Sequence, residues 1–185
     1  MTRSITRRFV AVVSLLIAGA AAAAQQSAPA TPLAELPLID VSGYGKLLEE
    51  HRGKPLMIYF WASWCEPCRV EFAIVNELAA KYAAKEMVIL GVSLDEDGEL
   101  NLMRRFLQRH VPRFPNYRKQ PGIHAPFYSS VEPKWKGAIP ASFFYDREGK
   151  LQASLIGEQK REAFEKAITD LLNRARPVVG GRGEN

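Results

Sequence analysis

The chain has 185 residues, of which 47% are hydrophobic and 24% charged, and its formal net charge is +5. This composition is that of a globular protein and excludes a largely disordered chain. The length suits one domain and leaves little room for a second independent one.

The N-terminus has the order of an export signal: a basic stretch, MTRSITRRF, precedes a short apolar block, VAVVSLLIAGAAAA. Ala22 and Ala24 meet the small-residue rule for cleavage, so we predict a signal peptide at residues 1–24. The apolar block has about 15 residues, fewer than the roughly 20 that span a bilayer, and an uncleaved anchor is the alternative. A cleaved signal peptide and an uncleaved anchor both predict a periplasmic or other extracytoplasmic location.

The basic charge of the chain comes mainly from this leader. Without its three arginines, Arg3, Arg7 and Arg8, the net charge falls from +5 to +2. The rest of the sequence has no basic stripe suited to a phosphate backbone, so we expect no nucleic-acid partner. A membrane contact is expected through the N-terminal segment alone, if that segment is not cleaved.

Three further segments follow the leader. Residues 25–37, QQSAPATPLAELP, predict a Pro/Ala linker, residues 38–174 a folded domain, and residues 175–185 a loose tail.

The first part of the domain alternates strands with helices. The predicted elements are an edge strand at 38–41, a short helix ending at Gly53, a buried central strand at 55–62, a helix at 66–84, a strand at 86–95 and a helix in GELNLMRRFLQRH. This order indicates an α/β fold with a parallel strand pair and a right-handed crossover.

The second part is interrupted by prolines. Residues 111–137 contain them at short intervals, which predicts no long regular element there. Next, ASFFYDREGKLQASLIG predicts two strands joined by a hairpin turn at 146–150, and residues 160–174 predict a last helix.

The two cysteines, Cys65 and Cys68, stand in WASWCEPCRVEF, directly after the central strand. A purely structural disulfide across so short a loop would stabilise the fold little. A zinc site needs further ligands, and His51, His110 and His124 are scattered singly, so we expect ordinary histidines. A copper site that uses both thiolates and one His or Met stays open.

A redox dithiol explains the position of the pair as well as its spacing. Cys65 is expected at a helix N-terminus, where free N–H groups and the helix dipole lower a thiol pKa from about 8.5. Cys68 follows one turn later and is expected to lie deeper, and Pro67 fits the first turn, where its missing N–H costs little. This predicts one attacking and one resolving sulfur.

Three motifs in order, FWASWCEPC, AIPASFFYD and DREGKL, resemble the thioredoxin superfamily, in particular its exported TlpA/ResA branch. The resemblance spans residues 38–174 and implies a thioredoxin fold: a central mixed sheet flanked by helices, with an N-terminal extension and an insertion before the cis-proline strand. It implies a thiol-disulfide oxidoreductase in which Cys65 forms a mixed disulfide with a partner and Cys68 releases it. It also implies a cis peptide bond at Ile139–Pro140 that faces the cysteines and leaves backbone groups for the substrate chain.

The resemblance also gives a role to Glu71, which matches the glutamate of the pattern CEPCxxEF. Glu71 is expected to have a raised pKa and to exchange a proton with Cys68. The alternative is a solvated glutamate with Arg69 and Lys81 as neighbours. Cytoplasmic thioredoxins carry a buried acid on the preceding strand, where this chain has Tyr59.

Three other residues near the pair have expected roles. Glu66 places a negative charge beside the thiolate and should oppose the helix dipole. Because a stabilised reduced form is what makes an oxidant, Glu66 favours a reductant. Trp64 is expected to shield the bridge and to contact substrate, whereas Trp61 is expected in the core.

Residues 111–137 depart from the family pattern. By sequence, a proline-rich, aromatic and basic stretch is expected to replace the short strand and helix that precede the cis-proline in the family. We expect this stretch to shape partner choice, and the alternative is a solvated loop with Trp135 as a packing anchor.

The predicted function is therefore a cofactor-free, exported reductase of disulfides in other exported proteins. The resemblance suggests apocytochrome c or copper-assembly proteins as partners, and a membrane thiol-transfer protein as electron donor. A copper-binding assembly factor is the alternative. A peroxiredoxin is less favoured, because the sequence has no Pro-x-x-x-Thr-x-x-Cys motif.

Overall fold

The computed structural model describes residues 36–174 of the chain. The predicted signal peptide, nearly all of the predicted linker and the predicted tail lie outside these described residues. Among the helices at 36–174, none is both long and apolar enough to cross a membrane.

Within residues 36–174, six strands form one mixed sheet that is covered by helices on both faces. The strands are β1 (Leu38–Ile39), β2 (Leu56–Trp61), β3 (Val88–Ser93), β4 (Asn116–Lys119), β5 (Ala141–Tyr145) and β6 (Leu151–Ile156). The helices are α1 (Val41–Glu50), α2 (Glu66–Tyr82), α3 (Leu100–His110), α4 (Ala125–Val131) and α5 (Arg161–Arg174).

The sheet has the order β1-β4-β3-β2-β5-β6. Neighbours from β1 to β2 are parallel, whereas β5 is antiparallel to both β2 and β6. This arrangement confirms the predicted α/β thioredoxin fold with a mixed central sheet.

The central strand β2 separates the two helical layers. All six of its side chains are buried, as predicted, and alternate ones point to opposite faces of the sheet. Tyr59 and Trp61 pack against Phe72 of α2, whereas Phe60 packs against Phe127 of α4. Trp61 is thus a core residue, as predicted, and α2 and α4 cover opposite faces.

The boundaries at the start of the domain differ from the prediction. β1 has two residues rather than four, because α1 already begins at Val41. Asp40 caps α1 by accepting a hydrogen bond from the Gly43 N–H at 2.7 Å. α1 ends at Glu50 rather than at Gly53, whose φ of +87° belongs to the following turn.

The prediction for residues 111–137 is wrong in one respect, because the segment does contain a strand, β4, and a helix, α4. Its prolines stand at element ends, where a missing N–H does not break a ladder or helix. Pro115 precedes β4, Pro121 follows it, and Pro126 lies in the first turn of α4.

Several basic or aromatic side chains of the stretch that we expect to shape partner choice are buried. Arg118 pairs with Asp97 at 2.9 Å, and Lys119 pairs with Glu96 at 2.8 Å. Trp135 is 2% exposed, so it is the packing anchor of the alternative interpretation. These residues therefore hold β4 and α4 to the sheet and are not available to a partner.

Candidate active site

The cysteine pair lies between the end of β2 and the start of α2. Cys65 is the N-cap residue of α2, Glu66 and Pro67 are its first two residues, and Cys68 lies in its first turn. The cysteines form a disulfide with a Cα–Cα distance of 5.3 Å. Cys65 keeps 5% of its surface exposed and Cys68 none, so Cys65 is the member of the pair that reaches the protein surface.

The charge around Cys65 has two opposing sources. The N-terminal N–H groups of α2 have no partners within the helix, and they favour a thiolate at the N-cap position. Glu66 opposes this effect, but its carboxylate is 80% exposed and pairs with Arg69 at 3.0 Å. The charge of Arg69 offsets part of this negative charge. Glu66 therefore destabilises a thiolate at Cys65 less than an unpaired carboxylate would.

Glu71 is buried in α2, with 1% of its surface exposed. Burial raises its pKa to about 7; a hydrogen bond from the Gln159 N–H opposes this rise, and the charge of Glu158 adds to it. Arg69 and Lys81 pair with other carboxylates. The expected raised pKa is confirmed, and the alternative of a solvated glutamate is wrong.

The hydroxyl of Tyr59 is a second buried polar group near Cys68, besides the carboxyl of Glu71. Its hydroxyl donates a hydrogen bond to the Cys68 carbonyl at 3.2 Å. Burial and the charge of Glu71 both raise the pKa of Tyr59, so its hydroxyl stays protonated. Glu71 follows Cys68 by three positions and shares its side of the helix. The buried carboxyl one turn after Cys68 therefore comes from α2, whereas β2 supplies the phenol of Tyr59.

The Ile139–Pro140 peptide bond is cis and directly precedes β5. Ala141 pairs with Phe60, near the end of β2 that leads to the cysteines, so the two turns lie at the same end of the sheet. The Pro140 carbonyl accepts a hydrogen bond from the Gly157 N–H at 2.8 Å. Pro140 has no N–H to offer a substrate chain. Pairing of a substrate chain with the backbone groups of Ile139 stays a prediction.

Trp64 lies directly before Cys65 and is 52% exposed. A single exposed apolar side chain is ordinary on a protein surface, so this exposure leaves Trp64 accessible to a substrate without assigning it a role. The role of Trp64 in substrate binding stays a prediction.

Asp95 is a fully buried carboxylate that the sequence analysis does not identify. It accepts hydrogen bonds from the Ser63 N–H at 3.0 and 3.1 Å, from the Ser63 hydroxyl, and from the Ser93 hydroxyl at 2.6 Å. Burial raises its pKa, and the serine hydrogen bonds oppose this rise. Asp95 thus fixes the turn that carries Cys65. Its place two residues after β3, a strand parallel to β2, is the signal that could have identified it.

The histidines have ordinary surroundings. His51 hydrogen-bonds through Nδ1 to the Leu47 carbonyl at 2.8 Å, His110 packs on the Phe106 ring, and His124 is partly exposed. Among residues 36–174, no three His, Cys, Asp or Glu side chains are grouped so that they could hold a metal ion.

A disulfide at a helix N-terminus of a thioredoxin fold, with its first cysteine at the surface and its second fully buried, defines the class of thiol-disulfide oxidoreductases. Residues 25–154 match the AhpC/TSA family, and the chain therefore belongs to this family. The chain is 32% identical over 126 residues to the thiol-disulfide oxidoreductase ResA of Bacillus cereus strain ZK / E33L, with 68% of each protein covered. It is 28% identical over 137 residues to ResA of Geobacillus kaustophilus, with 72% of each covered.

Solved structures agree with this assignment. A Chlorobium tepidum protein described as the thiol:disulfide interchange protein DsbE has a TM-score of 0.56 and 32% identity; the match covers 68% of this chain and 84% of that one. DsbF of Mycobacterium tuberculosis has a TM-score of 0.53 and 25% identity, with 66% and 84% covered. The chain is accordingly a thiol-disulfide oxidoreductase.

Proposed function

We propose that the protein is exported and reduces disulfides of other exported proteins. The observation that carries this proposal is the unequal burial of Cys65 and Cys68, one helical turn before a buried carboxyl whose pKa is about 7. Such a pair has one sulfur for attack and one for release, with a proton acceptor close to the second.

In the proposed cycle, the Cys65 thiolate attacks one sulfur of the partner disulfide. The partner S–S bond breaks, the other partner sulfur leaves as a thiolate and takes up a proton, and a mixed disulfide remains. Cys68 then gives its proton to the Glu71 carboxylate, and the new thiolate attacks the Cys65 sulfur. The bond between Cys65 and the partner breaks, and the second partner sulfur leaves as a thiolate that takes up a proton. The partner then has two thiols, having received two electrons, and the protein keeps the Cys65–Cys68 disulfide.

A thiol donor must reduce this disulfide before the next cycle. We assign that role to a membrane thiol-transfer protein, and the haem-attachment cysteines of apocytochrome c or copper-assembly proteins are the candidate substrates. The leader at residues 1–24 supports an extracytoplasmic location for these exchanges.

The backbone of Ile139 and the indole of Trp64 are the proposed contacts for the substrate chain. Ile139 can pair with an extended strand, as in other cases of strand addition. Trp64 can cover apolar atoms next to the attacked disulfide.

Trapping of mixed disulfides tests this proposal. In Cys68→Ala the resolving sulfur is absent, so partners should stay attached to Cys65 in the exported compartment until a reductant releases them. Cys65→Ala is the matched control and should trap none. If Cys68→Ala traps no protein and the wild type instead holds stoichiometric copper, the copper-binding assembly factor replaces this proposal.

A further inference from the structure

An open groove of about 570 Å³ lies beside the cysteine turn, between α2 and α3. Ser63, two residues before Cys65, lines it together with Arg69, which directly follows Cys68. The other side of the groove is formed by α3, through Leu102, Arg105, Phe106, Gln108, Arg109 and His110. A chain that lies over Cys65 can therefore continue into this groove.

The groove is basic, since three arginines line it and none of its lining residues is acidic. Arg105 and Arg109 are exposed and lie four positions apart, on one side of α3. Within the described part of the chain, neither has a carboxylate in ion-pair contact, whereas Arg69 shares its charge with Glu66. The guanidinium groups of Arg105 and Arg109 are thus available to an anionic ligand.

The charge of the groove should not change around neutral pH. His110 also lines it, but partial burial and the charges of Arg109 and Arg69 lower the pKa of this histidine. The positive charge therefore comes from arginines, which stay protonated at every accessible pH.

The size and lining of the groove indicate the kind of ligand. Leu102, which is 46% exposed, and Phe106 add apolar surface to the basic one. A single small anion would leave most of the volume empty, and a concave surface fits a lipid bilayer poorly. A polypeptide segment with acidic side chains fits both the shape and the charge.

We propose that the groove binds an acidic segment of the partner polypeptide, next to the cysteine that Cys65 attacks. The inference rests on the proposed function, because it requires a protein disulfide as substrate. Opposite charges across this contact speed association, and added salt screens them.

Three model substrates test the inference: peptides that contain one internal disulfide, flanked by Asp and Glu, by Asn and Gln, or by Lys. The pre-reduced protein should reduce the acidic peptide about fivefold faster than the neutral one at low ionic strength. This difference should disappear in about 0.5 M NaCl, where the Debye length is a few Å. It should be the same at pH 6.5 and pH 8, values that bracket neutrality.

Variants locate the effect in the groove. Arg105→Glu/Arg109→Glu should reverse the order of the acidic and Lys peptides, and Arg105→Gln/Arg109→Gln should make the three rates equal. Lys54→Glu/Lys150→Glu is the matched control, since it makes the same charge change at the opposite end of the sheet, where β2 begins. This control should keep the preference for the acidic peptide.

An uncharged small disulfide, 2-hydroxyethyl disulfide, tests the proposed function separately from the groove proposal. All variants should reduce it at the wild-type rate, and a wild type unable to reduce it would contradict the proposed function itself. Equal rates on the acidic and neutral peptides, or a loss of preference in the lysine control as well, would overturn the groove proposal alone. Binding of phosphatidylglycerol vesicles or inorganic phosphate through the two arginines, without a preference for the acidic peptide, would overturn it too.

Discussion

Glu71 destabilises the fold when it is ionised. Its pKa is raised from 4.5 to about 7, so the folded protein binds the proton more tightly than the unfolded chain does. The stability that this preference gives is fully present below pH 4.5 and is lost as the pH rises through about 7. At about 1.4 kcal/mol for each unit of pKa difference, the whole effect is on the order of 3 kcal/mol.

Glu71→Gln should therefore remove this pH dependence. Relative to the variant, the oxidised wild type should lose up to about 3 kcal/mol of unfolding free energy between pH 5 and pH 8. Guanidinium denaturation at the two pH values measures the difference. Glu50→Gln, at an exposed position of α1, is the control and should follow the wild type. An identical pH dependence in wild type and Glu71→Gln would contradict a buried, titrating Glu71.

The same variant tests the proton transfer. Without the carboxylate of Glu71, release of the partner from the mixed disulfide should slow about 100-fold near pH 7, whereas the initial attack by Cys65 should change little. Stopped-flow measurements follow the overall reaction, and quenched samples give the amount of mixed disulfide at each time. Together they separate the two steps. Equal slowing of both steps would indicate a structural effect of the substitution rather than loss of a proton acceptor.

Glu66 should tune the reduction potential, but weakly. Glu66→Gln removes the negative charge that opposes the thiolate, so the reduced form becomes more stable and the potential rises. Because Arg69 already pairs with Glu66 at 3.0 Å, we expect a rise of about 10 to 30 mV. Equilibration with glutathione measures it, and a lower potential in the variant would contradict the assigned direction.

At the scale of the elements, the parallel register of β2 and β3 builds the cysteine turn. Trp61 pairs with Ser93, and two residues further on, Ser63 meets Asp95. Each strand end thus supplies one side of the contact that fixes the chain before Cys65.

Asp95→Asn should weaken this turn. The amide places an N–H₂ group against the Ser63 N–H or a serine hydroxyl, so one buried donor loses its acceptor, at about 1 to 3 kcal/mol. Denaturation of the oxidised protein measures the loss, with Asp170→Asn on the outer side of α5 as the control. A change under about 0.5 kcal/mol would mean that the turn does not depend on the Asp95 carboxylate.

Much of this architecture could be predicted from the sequence because the apolar periods of β2, α2, β3 and α3 are clear. These elements begin and end within two residues of the predicted bounds. β4 could not be predicted in the same way, because Asn116–Lys119, with the sequence NYRK, has no apolar pattern. Its cationic side chains, Arg118 and Lys119, can be buried because they form ion pairs with Asp97 and Glu96, about twenty positions earlier in the chain.

The candidate site also has one part that the sequence predicts and another part that it does not. Cys65, Cys68 and Glu71 are close in sequence and share one helix, so spacing alone indicates that they lie together. Asp95 and the basic groove depend on distant segments that the sheet brings together, and no local pattern marks them.

For the whole molecule, the leader predicts the form in which the protein works. We expect residues 1–24 to be removed on export, so the mature chain should begin near Gln25 and carry a net charge of +2 rather than +5. Intact mass measurement of the protein from the exported compartment tests this. A full-length chain in the membrane fraction would instead support the uncleaved anchor.

If the Cys65–Cys68 pair gives electrons to partner disulfides, its reduction potential must be low. Equilibration of the pair with glutathione measures this potential. We expect a value nearer to that of thioredoxin, about −270 mV, than to that of the oxidant DsbA, about −120 mV. A value close to −120 mV, or a pair that does not exchange with glutathione at all, would contradict it.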